Sequence, residues 1–305
     1  MVARLFCARI RFLVMHLVPK ATVVLCTFIG ASTIVLAEPL IAAVPPMLLL
    51  AIRFALAAVL LALVVPRKVF PLNRSVIRAG FIAGMGFGLG CALLYTALPH
   101  VRAGKLTFLI ALEVVIVPLF SASIYKQTLS RFEMAALALA VLGLWLMVGD
   151  ANSSFSWWDV IGLLSGFAYA VYTIALSRLS GYGGVVARTF VAFWSISLLS
   201  LAVSLLCESF AEVRWSSGAV VTLAYLVVFG SVARFLLQAW AQKTVSESFT
   251  ALTFSAEPVF AIALSYTFFG ERFSLSQTFG AVVIISALIL ANIPKPHSQI
   301  SEAVG

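Results

Sequence analysis

Apolar runs of about 20 residues recur from one end of this sequence to the other, separated by short polar or proline-containing breaks. A helix needs about 20 predominantly apolar residues to cross the hydrocarbon core of a bilayer, which is roughly 30 Å thick. Inside that core every backbone N–H and C=O must be paired within the protein, and an α-helix pairs them within one segment. The pattern therefore predicts an all-α, polytopic membrane protein.

The breaks between these runs divide the chain into predicted spans. Pro45 and Pro46 break the first connection, and residues 66–74 make the second connection both helix-breaking and too charged for lipid. The spans are expected at residues 20–37, 46–65, 79–98, 102–125, 131–149, 158–177, 185–206, 217–241, 245–269 and 273–292. The sequence thus predicts ten transmembrane helices.

Lys and Arg are distributed unevenly over the predicted loops. With the amino terminus in the cytosol, fourteen of the 20 basic residues fall on the cytosolic side, four on the other side and two within spans. Cytosolic loops of membrane proteins are enriched in Lys and Arg, so we expect both termini in the cytosol, which requires an even number of spans. The apolar run at 12–18 is short and lacks a small-residue cleavage pattern, so residues 1–19 are interpreted as a cytosolic tail.

The two halves of the sequence resemble each other. Glu113 and Glu257 are 144 positions apart, and so are Ser130 and Ser274. Because each half has five predicted spans, an odd number, the second copy enters the membrane from the opposite face. Inverted repeats are typical of secondary transporters, whose solute site lies near the midplane between the repeats. We expect two inverted five-helix repeats at 20–149 and 158–292, a linker at 150–157, and cytosolic tails at 1–19 and 293–305.

One stretch of the second half carries a family resemblance. Residues 250–261 read TALTFSAEPVFA, followed by FGERFS at 269–274 and FGA at 279–281. This stretch resembles the ninth-helix signature of the EamA-type carriers of the drug/metabolite transporter superfamily. Arg53-Phe54 and the YTAL at 95–98 resemble first-half landmarks of the same family. The resemblance extends from about residue 18 to residue 292.

The first half departs further from the family pattern. The family's tryptophan-glycine pair in the first helix is replaced by Ile29-Gly30, and Lys126-Gln127 stands where the second half has Gly270-Glu271. The resemblance implies a ten-helix secondary transporter that moves amino acids, nucleosides or other metabolites, often by efflux. It also implies a multi-pass protein of a bacterial inner membrane, with a small-molecule substrate and lipid as partners and with no cofactor.

Two glutamates lie close to the middle of predicted spans. Glu113 and Glu257 are each about twelve residues into their spans. A charged carboxylate there costs roughly 2.5–3.5 kcal/mol on insertion scales, and such groups are seldom idle. We expect one or both to bind a cationic substrate group or to carry a proton. The alternative is a structural hydrogen bond, or neutralisation by Arg53 or by Arg234, although Arg234 is expected to reach the membrane interface.

Further candidates follow from their positions within the spans. Neighbouring glycines and serines indicate that Tyr95, Tyr169 and Gln238 face protein. Pro118 and Pro258 interrupt the fourth and ninth spans and each removes a backbone hydrogen bond, so a gating hinge and a static kink both stay open. The candidates for the substrate and proton pathway are therefore Glu113, Glu257, Arg53, Tyr95, Tyr169 and Gln238.

A ladder of small residues occupies the third predicted span. Its glycines, several of them four positions apart, are Gly80, Gly84, Gly86, Gly88 and Gly90. Such spacing allows helices to approach closely in lipid. Tight packing with no substrate contact is the expected role. A homodimer through this ladder is also open, without further support in the sequence.

Other classes of function find little support. The net charge of +9 comes from residues between apolar runs and forms no basic patch, which argues against nucleic acid. His16, His100 and His297 fall outside the spans and no HExxH or GxSxG motif occurs, so neither an enzyme nor a metal site is expected. An uncoupled facilitator or exchanger stays open, because repeat symmetry alone does not establish ion coupling.

Overall fold

The computed structural model describes residues 2–41, 43–70, 72–98, 100–101, 106, 109–126, 129–148, 155–210, 213, 215–269 and 274–291. Within these ranges the chain forms helices and no strand. The helices are α1 (Val2–Ile41), α2 (Pro46–Val64), α3 (Pro66–Val69), α4 (Arg74–Ala97), α5 (Glu113–Tyr125), α6 (Arg131–Val148), α7 (Trp157–Arg178), α8 (Val185–Cys207), α9 (Ser217–Tyr225), a π-helical segment (Leu226–Ala233), α10 (Arg234–Ala241), α11 (Glu247–Phe254), α12 (Glu257–Phe269) and α13 (Leu275–Ala291).

Seven described stretches are long and apolar enough to cross a membrane. They are Leu17–Ala37, Pro46–Val64, Arg74–Ala97, Trp157–Arg178, Val185–Cys207, Ser217–Ala241 and Glu247–Phe268. Shorter apolar helices at Leu109–Ile124 and Leu275–Ala291 coincide with the fourth and tenth predicted spans, and α6 lies within the fifth. The prediction of an all-α polytopic membrane protein is confirmed, and the number ten stays a prediction.

Some of the predicted features lie wholly or partly outside the described residues. Residues 102–105, at the start of the fourth predicted span, and 149–154, which include most of the predicted linker, lie outside the described residues. The same holds for 270–273 and for the segment after 291. At the amino end, the backbone of α1 is already helical at Val2, so the segment interpreted as a tail continues into the first span.

The helices begin where the sequence supplies proline or a capping side chain. Pro46 is the first residue of α2, where its missing N–H costs nothing. Asn73 accepts a hydrogen bond from the N–H of Val76 at 2.9 Å and caps α4. Glu208, just after α8, accepts from the N–H groups of Met47 and Leu48 at 2.8 and 2.9 Å. This last carboxylate caps α2 from the other half of the chain.

The principal helix contacts come in pairs: a contact made by a helix of one half has a counterpart made by the equivalent helix of the other half. The third span, α4, packs against α7 and α8, the sixth and seventh spans. The eighth span, formed by α9, the π-helical segment and α10, packs in the same way against α1 and α2. Helices α6 and α13, which occupy equivalent places in the two halves, pack on each other. This pattern agrees with a two-fold relation between the repeats.

The glycine ladder of α4 is used for packing inside the chain. A Cβ at Gly84 would lie 2.5 Å from the carbonyl oxygen of Ala192 in α8. A Cβ at Gly86 would lie 2.9 Å from the backbone nitrogen of Tyr172 in α7. Neighbouring helices cover both faces of the ladder, which agrees with the expected role in tight packing, and the homodimer stays a prediction.

The two prolines occupy different positions in their helices, and only Pro118 lies where it was expected. Pro118 does lie inside a helix, α5. Pro258 is the second residue of α12, directly after a turn at Ser255 and Ala256. The first-turn N–H groups of a helix have no intrahelical partner, so a proline there removes no hydrogen bond. The expected loss of a bond at Pro258 was therefore wrong, and the interruption of the ninth span lies just before it.

An aromatic cluster forms the core between five of the spans. Phe54, Phe87, Phe193 and Phe235 come from α2, α4, α8 and α10, and Tyr172 of α7 joins them. The ring centroids of Phe87 and Phe235 are 5.0 Å apart, and those of Phe54 and Phe193 are 5.4 Å apart. Such edge-on and tilted pairs contribute about 0.5–1.5 kcal/mol each beyond area burial. The cluster fixes the helices around the polar groups described next.

Candidate functional site

Glu113 and Glu257 each begin a helical segment after an interruption. Leu112 forms a turn before α5, and Ser255 and Ala256 form one before α12. The N-terminal N–H groups of a helix carry partial positive charge, so they stabilise a carboxylate or another anion nearby. Discontinuous helices of this kind surround the solute sites of transporters. The repeat seen in the sequence thus extends to the local backbone of both carboxylates.

Glu257 pairs with Arg234. Glu257 Oε2 and Arg234 Nη2 are 3.5 Å apart, and the two side chains are 20% and 12% exposed. The guanidinium also lies 5.5 Å from the centre of the Phe254 ring. The guanidinium of Arg234, which was expected to reach the membrane interface, therefore lies inside the protein beside a half-buried carboxylate.

Glu113 has a neutral partner. The Thr173 hydroxyl donates to Glu113 Oε1 at 2.7 Å, joining α5 to α7. Behind it the carbonyl oxygen of Thr173 accepts from Gln242 Nε2 at 3.1 Å. Gln242 Oε1 accepts from Gln238 Nε2 at 3.2 Å, and Gln238 Oε1 accepts from the Tyr172 hydroxyl at 2.9 Å. Thr173 therefore links two sets of contacts. Its hydroxyl binds Glu113, and its carbonyl oxygen ends a chain of hydrogen bonds that runs through Gln242 and Gln238 to Tyr172.

The remaining pathway candidates lie around the same centre. Arg53 Nε donates to Ser231 Oγ at 2.7 Å, and its charge is close enough to interact with that of Arg234. The Tyr169 hydroxyl donates to Cys91 Sγ at 3.3 Å. Tyr95, half-buried on the same helix as Cys91, is within electrostatic range of Arg53.

Four charged groups therefore share one region of the interior. The charge of Glu113 interacts with those of Glu257 and Arg234, and Arg53 lies next to Arg234. We call Arg53, Glu113, Arg234 and Glu257 the central charged cluster. Its formal charges cancel when all four side chains are ionised. In the described part of the chain, no group of three or more metal-ligating side chains occurs here or elsewhere.

The π-helical segment just before Arg234 shapes this region. It contains Ser231, which binds Arg53, and Gly230, whose Cβ position would lie 2.8 Å from Arg53 Nη2. π-helical turns are rare and are frequent at functional sites. Nothing in the hydrophobic pattern of this span indicates a local change of helical type, so the sequence did not reveal it.

A second polar group joins three helices at the carboxyl end of α7, about one turn beyond Thr173. Glu247, only 4% exposed, accepts from Ser177 Oγ at 2.9 Å and from Ser121 Oγ at 3.0 Å. Arg178 Nε and Nη2 both donate to its Oε1, at 3.0 and 2.5 Å. We call these four residues the Glu247 clasp. The sequence did not single out Glu247, because it lies at the very edge of a predicted span, where charged residues are common.

Gly30 allows the ion pair of the central charged cluster to sit against α1. A Cβ at this position would lie 2.7 Å from Arg234 Nη2 and would also collide with Glu257 Oε1. We expect Gly30→Ala to displace the pair and to slow solute uptake by roughly tenfold to a hundredfold, since misplacement by about 1 Å has effects of that size at functional sites. Initial uptake rates measured in proteoliposomes check this.

The matched control is Gly184→Ala, because a Cβ at Gly184 meets nothing within 4 Å. Gly184→Ala should retain the wild-type uptake rate. Unchanged uptake by Gly30→Ala, at equal protein content of the vesicles, would show that the position of the ion pair does not matter for transport.

Comparison with known proteins identifies a transporter family and relatives that are named as transporters. Residues 20–149 and 156–293 match the EamA-like transporter family. An uncharacterized transporter of Archaeoglobus fulgidus is 26% identical over 219 residues, covering 70% of this chain and 68% of the relative. The uncharacterized inner membrane transporter YicL of Salmonella typhimurium is 26% identical over 168 residues, covering 52% of this chain and 54% of its own.

Two further comparisons extend this result. A chloroplastic WAT1-related protein of Arabidopsis thaliana is 25% identical over 215 residues, and the chain spans 50% of that protein's length. A solved crystal structure superposes with a TM-score of 0.72 and covers 94% of this chain and 97% of its own, at 18% sequence identity, which shows a shared fold. This is an integral, multi-pass membrane transporter. The matched family, the relatives named as transporters and the apolar helices all indicate it. The chain belongs to the EamA-like transporter family.

Proposed function

We propose that the protein moves a small metabolite by alternating access and holds it at the central charged cluster. The observation that carries this proposal is the arrangement of Glu113 and Glu257, each at the start of a broken helix segment in equivalent places of the two halves. The cluster offers both cationic and anionic groups near predicted mid-membrane. Amino acids, nucleosides and drug-like solutes all carry groups that such a set can bind.

The two carboxylates have different partners, which supports different roles. Glu257 lies against Arg234, so its negative charge is balanced within the protein. The direct partner of Glu113 is the neutral hydroxyl of Thr173. A carboxyl group can keep this contact in both protonation states, because a hydroxyl can donate or accept. We therefore propose Glu113 as the proton carrier and the Arg234–Glu257 pair as the substrate-binding part.

Replacing Glu113 tests the proton coupling. We expect Glu113→Gln to lose the stimulation of transport by a pH gradient, so that flux with and without the gradient becomes equal, while solute exchange continues. Glutamine keeps the shape and a hydrogen-bonding oxygen but cannot ionise. The quantity measured in proteoliposomes is the ratio of the flux with an imposed pH gradient to the flux without one. A ratio above one in Glu113→Gln would contradict the assignment, and a ratio of one in the wild type would favour an uncoupled facilitator.

The distribution of Lys and Arg supports a proposal for the orientation in the membrane, and the family resemblance supports one for the direction of transport. We propose efflux from a bacterial cytosol across the inner membrane, with both termini in the cytosol. The Glu247 clasp then lies on the cytosolic side, since Arg178 belongs to a predicted cytosolic loop. Comparing the metabolites of cells that overproduce the protein with those of cells that lack it identifies the solute. Accumulation of that solute in the cells with the protein would contradict efflux.

A further inference from the structure

Arg53 is a cation without a carboxylate partner in the described part of the chain. Its Nε donates to Ser231 Oγ at 2.7 Å, and the charge next to it is that of Arg234, which is also positive. The carboxylate of Glu257 lies against Arg234 and not against Arg53. Unpaired basic groups within spans are expensive and mark the pathways of solutes and ions. Arg53 is therefore expected to meet a negative charge that the protein itself does not supply.

The guanidinium of Arg53 keeps two donors open. Nη1 and Nη2 make no hydrogen bond with the described residues, and neither atom is fully buried. The bond from Nε to Ser231 holds the orientation of this planar group, and Gly230 leaves space beside Nη2, where a Cβ would lie only 2.8 Å away. A guanidinium with two open donors binds a carboxylate in bidentate geometry, which an uncharged amide does not match. Arg53 is thus suited to a carboxylate of the solute.

Glu113 keeps one acceptor open. Its Oε1 accepts from the Thr173 hydroxyl at 2.7 Å. Its Oε2 makes no hydrogen bond with the described residues and is not fully buried. The charge of Glu113 interacts with that of Arg234, which in turn interacts with that of Arg53, so the two open groups lie around one ion pair. A carboxylate oxygen of this kind suits an ammonium group, which carries three donors and no acceptor.

We propose that the solute is a compact zwitterion, whose carboxylate binds Nη1 and Nη2 of Arg53 and whose ammonium group binds Oε2 of Glu113. This assignment rests on the proposed function and narrows its substrate class. A solute with only a positive charge would leave Arg53 unpaired. A solute with only a negative charge would be balanced when Glu113 is protonated, so it would move together with the proton, opposite to efflux in exchange for entering protons. With a zwitterion, the ammonium group takes the place of the proton on Glu113.

Thermal unfolding of the purified protein in nanodiscs tests this, with each of the standard α-amino acids as a probe. At least one of them, at about ten times its dissociation constant, should raise the unfolding midpoint by roughly 2 °C. The amino acid with the largest effect is then compared with its amide, which lacks the carboxylate, and with its deaminated acid, which lacks the ammonium group. Each analogue should bind the wild type about tenfold more weakly or worse, because it leaves one charged group of the protein unpaired.

Arg53→Gln removes the charge that recognises the carboxylate, which makes Arg53 the residue that determines this specificity. The variant should bind the amino acid and its amide equally, while Glu113→Gln should bind the amino acid and its deaminated acid equally. Ser231→Ala keeps the guanidinium but removes the hydroxyl that orients it, so it should reduce the preference for the amino acid over its amide. Arg131→Gln removes an exposed arginine elsewhere and should keep both preferences.

Three outcomes would overturn the zwitterion. They are a wild type that no standard amino acid stabilises, a wild type that binds the amide or the deaminated acid as tightly as the amino acid, and an undiminished preference over the amide in Arg53→Gln. The wild-type comparison of the three probes decides even where Arg53→Gln does not fold. Equal binding of all three probes leaves transport through the central charged cluster in place, whereas amino-acid binding that is unchanged in both Arg53→Gln and Glu113→Gln would contradict the proposed solute site itself.

Discussion

Replacing Arg234 by Gln is expected to abolish solute transport and to lower the free energy of unfolding by about 3–5 kcal/mol. The reason is that Glu257 loses its 3.5 Å partner and becomes an unpaired carboxylate in the protein interior. Glu257→Gln should destabilise the protein to a similar extent, because it leaves the guanidinium unpaired. Thermal unfolding in nanodiscs and uptake into proteoliposomes measure the two effects on the same preparations.

The double variant Arg234→Gln/Glu257→Gln separates structure from function. It leaves no unpaired charge at this position, so most of the lost stability should return, and the effects of the single variants should be strongly non-additive. Transport should stay lost, because neither charged group is available to the solute. Arg131→Gln, an exposed charge removed elsewhere, should resemble the wild type in both measurements. A double variant that is as unstable as the single ones would show that the pair does not act as a unit.

The second large effect is expected at the Glu247 clasp. Glu247→Ala removes every contact by which Ser121, Ser177 and Arg178 are held together. If the clasp closes the cytosolic ends of α5, α7 and α11, its loss should shift the population toward a conformation open on that side. Access from the cytosol to the central charged cluster should then increase by about tenfold or more, since a shift of 1.4 kcal/mol changes a population ratio by about that factor.

Cys26 reports on this opening. It is 0% exposed, and its Sγ lies 3.5 Å from the carbonyl oxygen of Arg234. In a background in which the other cysteines are replaced, the alkylation rate of Cys26 by a water-soluble thiol reagent should rise in Glu247→Ala. Glu208→Ala, which removes a carboxylate cap from α2, is the control for general loosening. An equal rise in both variants would mean that the clasp is an ordinary structural contact.

The sequence predicted the elements of this fold better than their interruptions. Apolar length and proline position placed most spans within a few residues, because the bilayer imposes both requirements on every helix. The turn before Glu257, the π-helical segment before Arg234 and the burial of Arg234 were not predicted. Each depends on contacts between distant parts of the chain, such as those of Arg234 with Gly30 and Glu257.

The candidate site could also be predicted only in part, because some of its residues are brought together by contacts between distant parts of the chain. A carboxylate in an apolar span is visible in the sequence, so Glu113 and Glu257 could be singled out. The partners Thr173 and Ser231 could not, because short polar side chains are common in spans. Only the packing of α5 on α7, and of α2 on the π-helical segment, shows that these two meet a charge. Glu247, at the edge of its span, resembled an ordinary interfacial residue.

Solute counterflow in proteoliposomes tests the central claim most directly. Vesicles loaded with the solute identified in cells are diluted into its labelled form, and the transient accumulation of label is followed. The wild type should accumulate label well above equilibrium, and the folded Arg234→Gln/Glu257→Gln protein should show none. Counterflow at the wild-type rate by the double variant would contradict the placement of the solute at the central charged cluster.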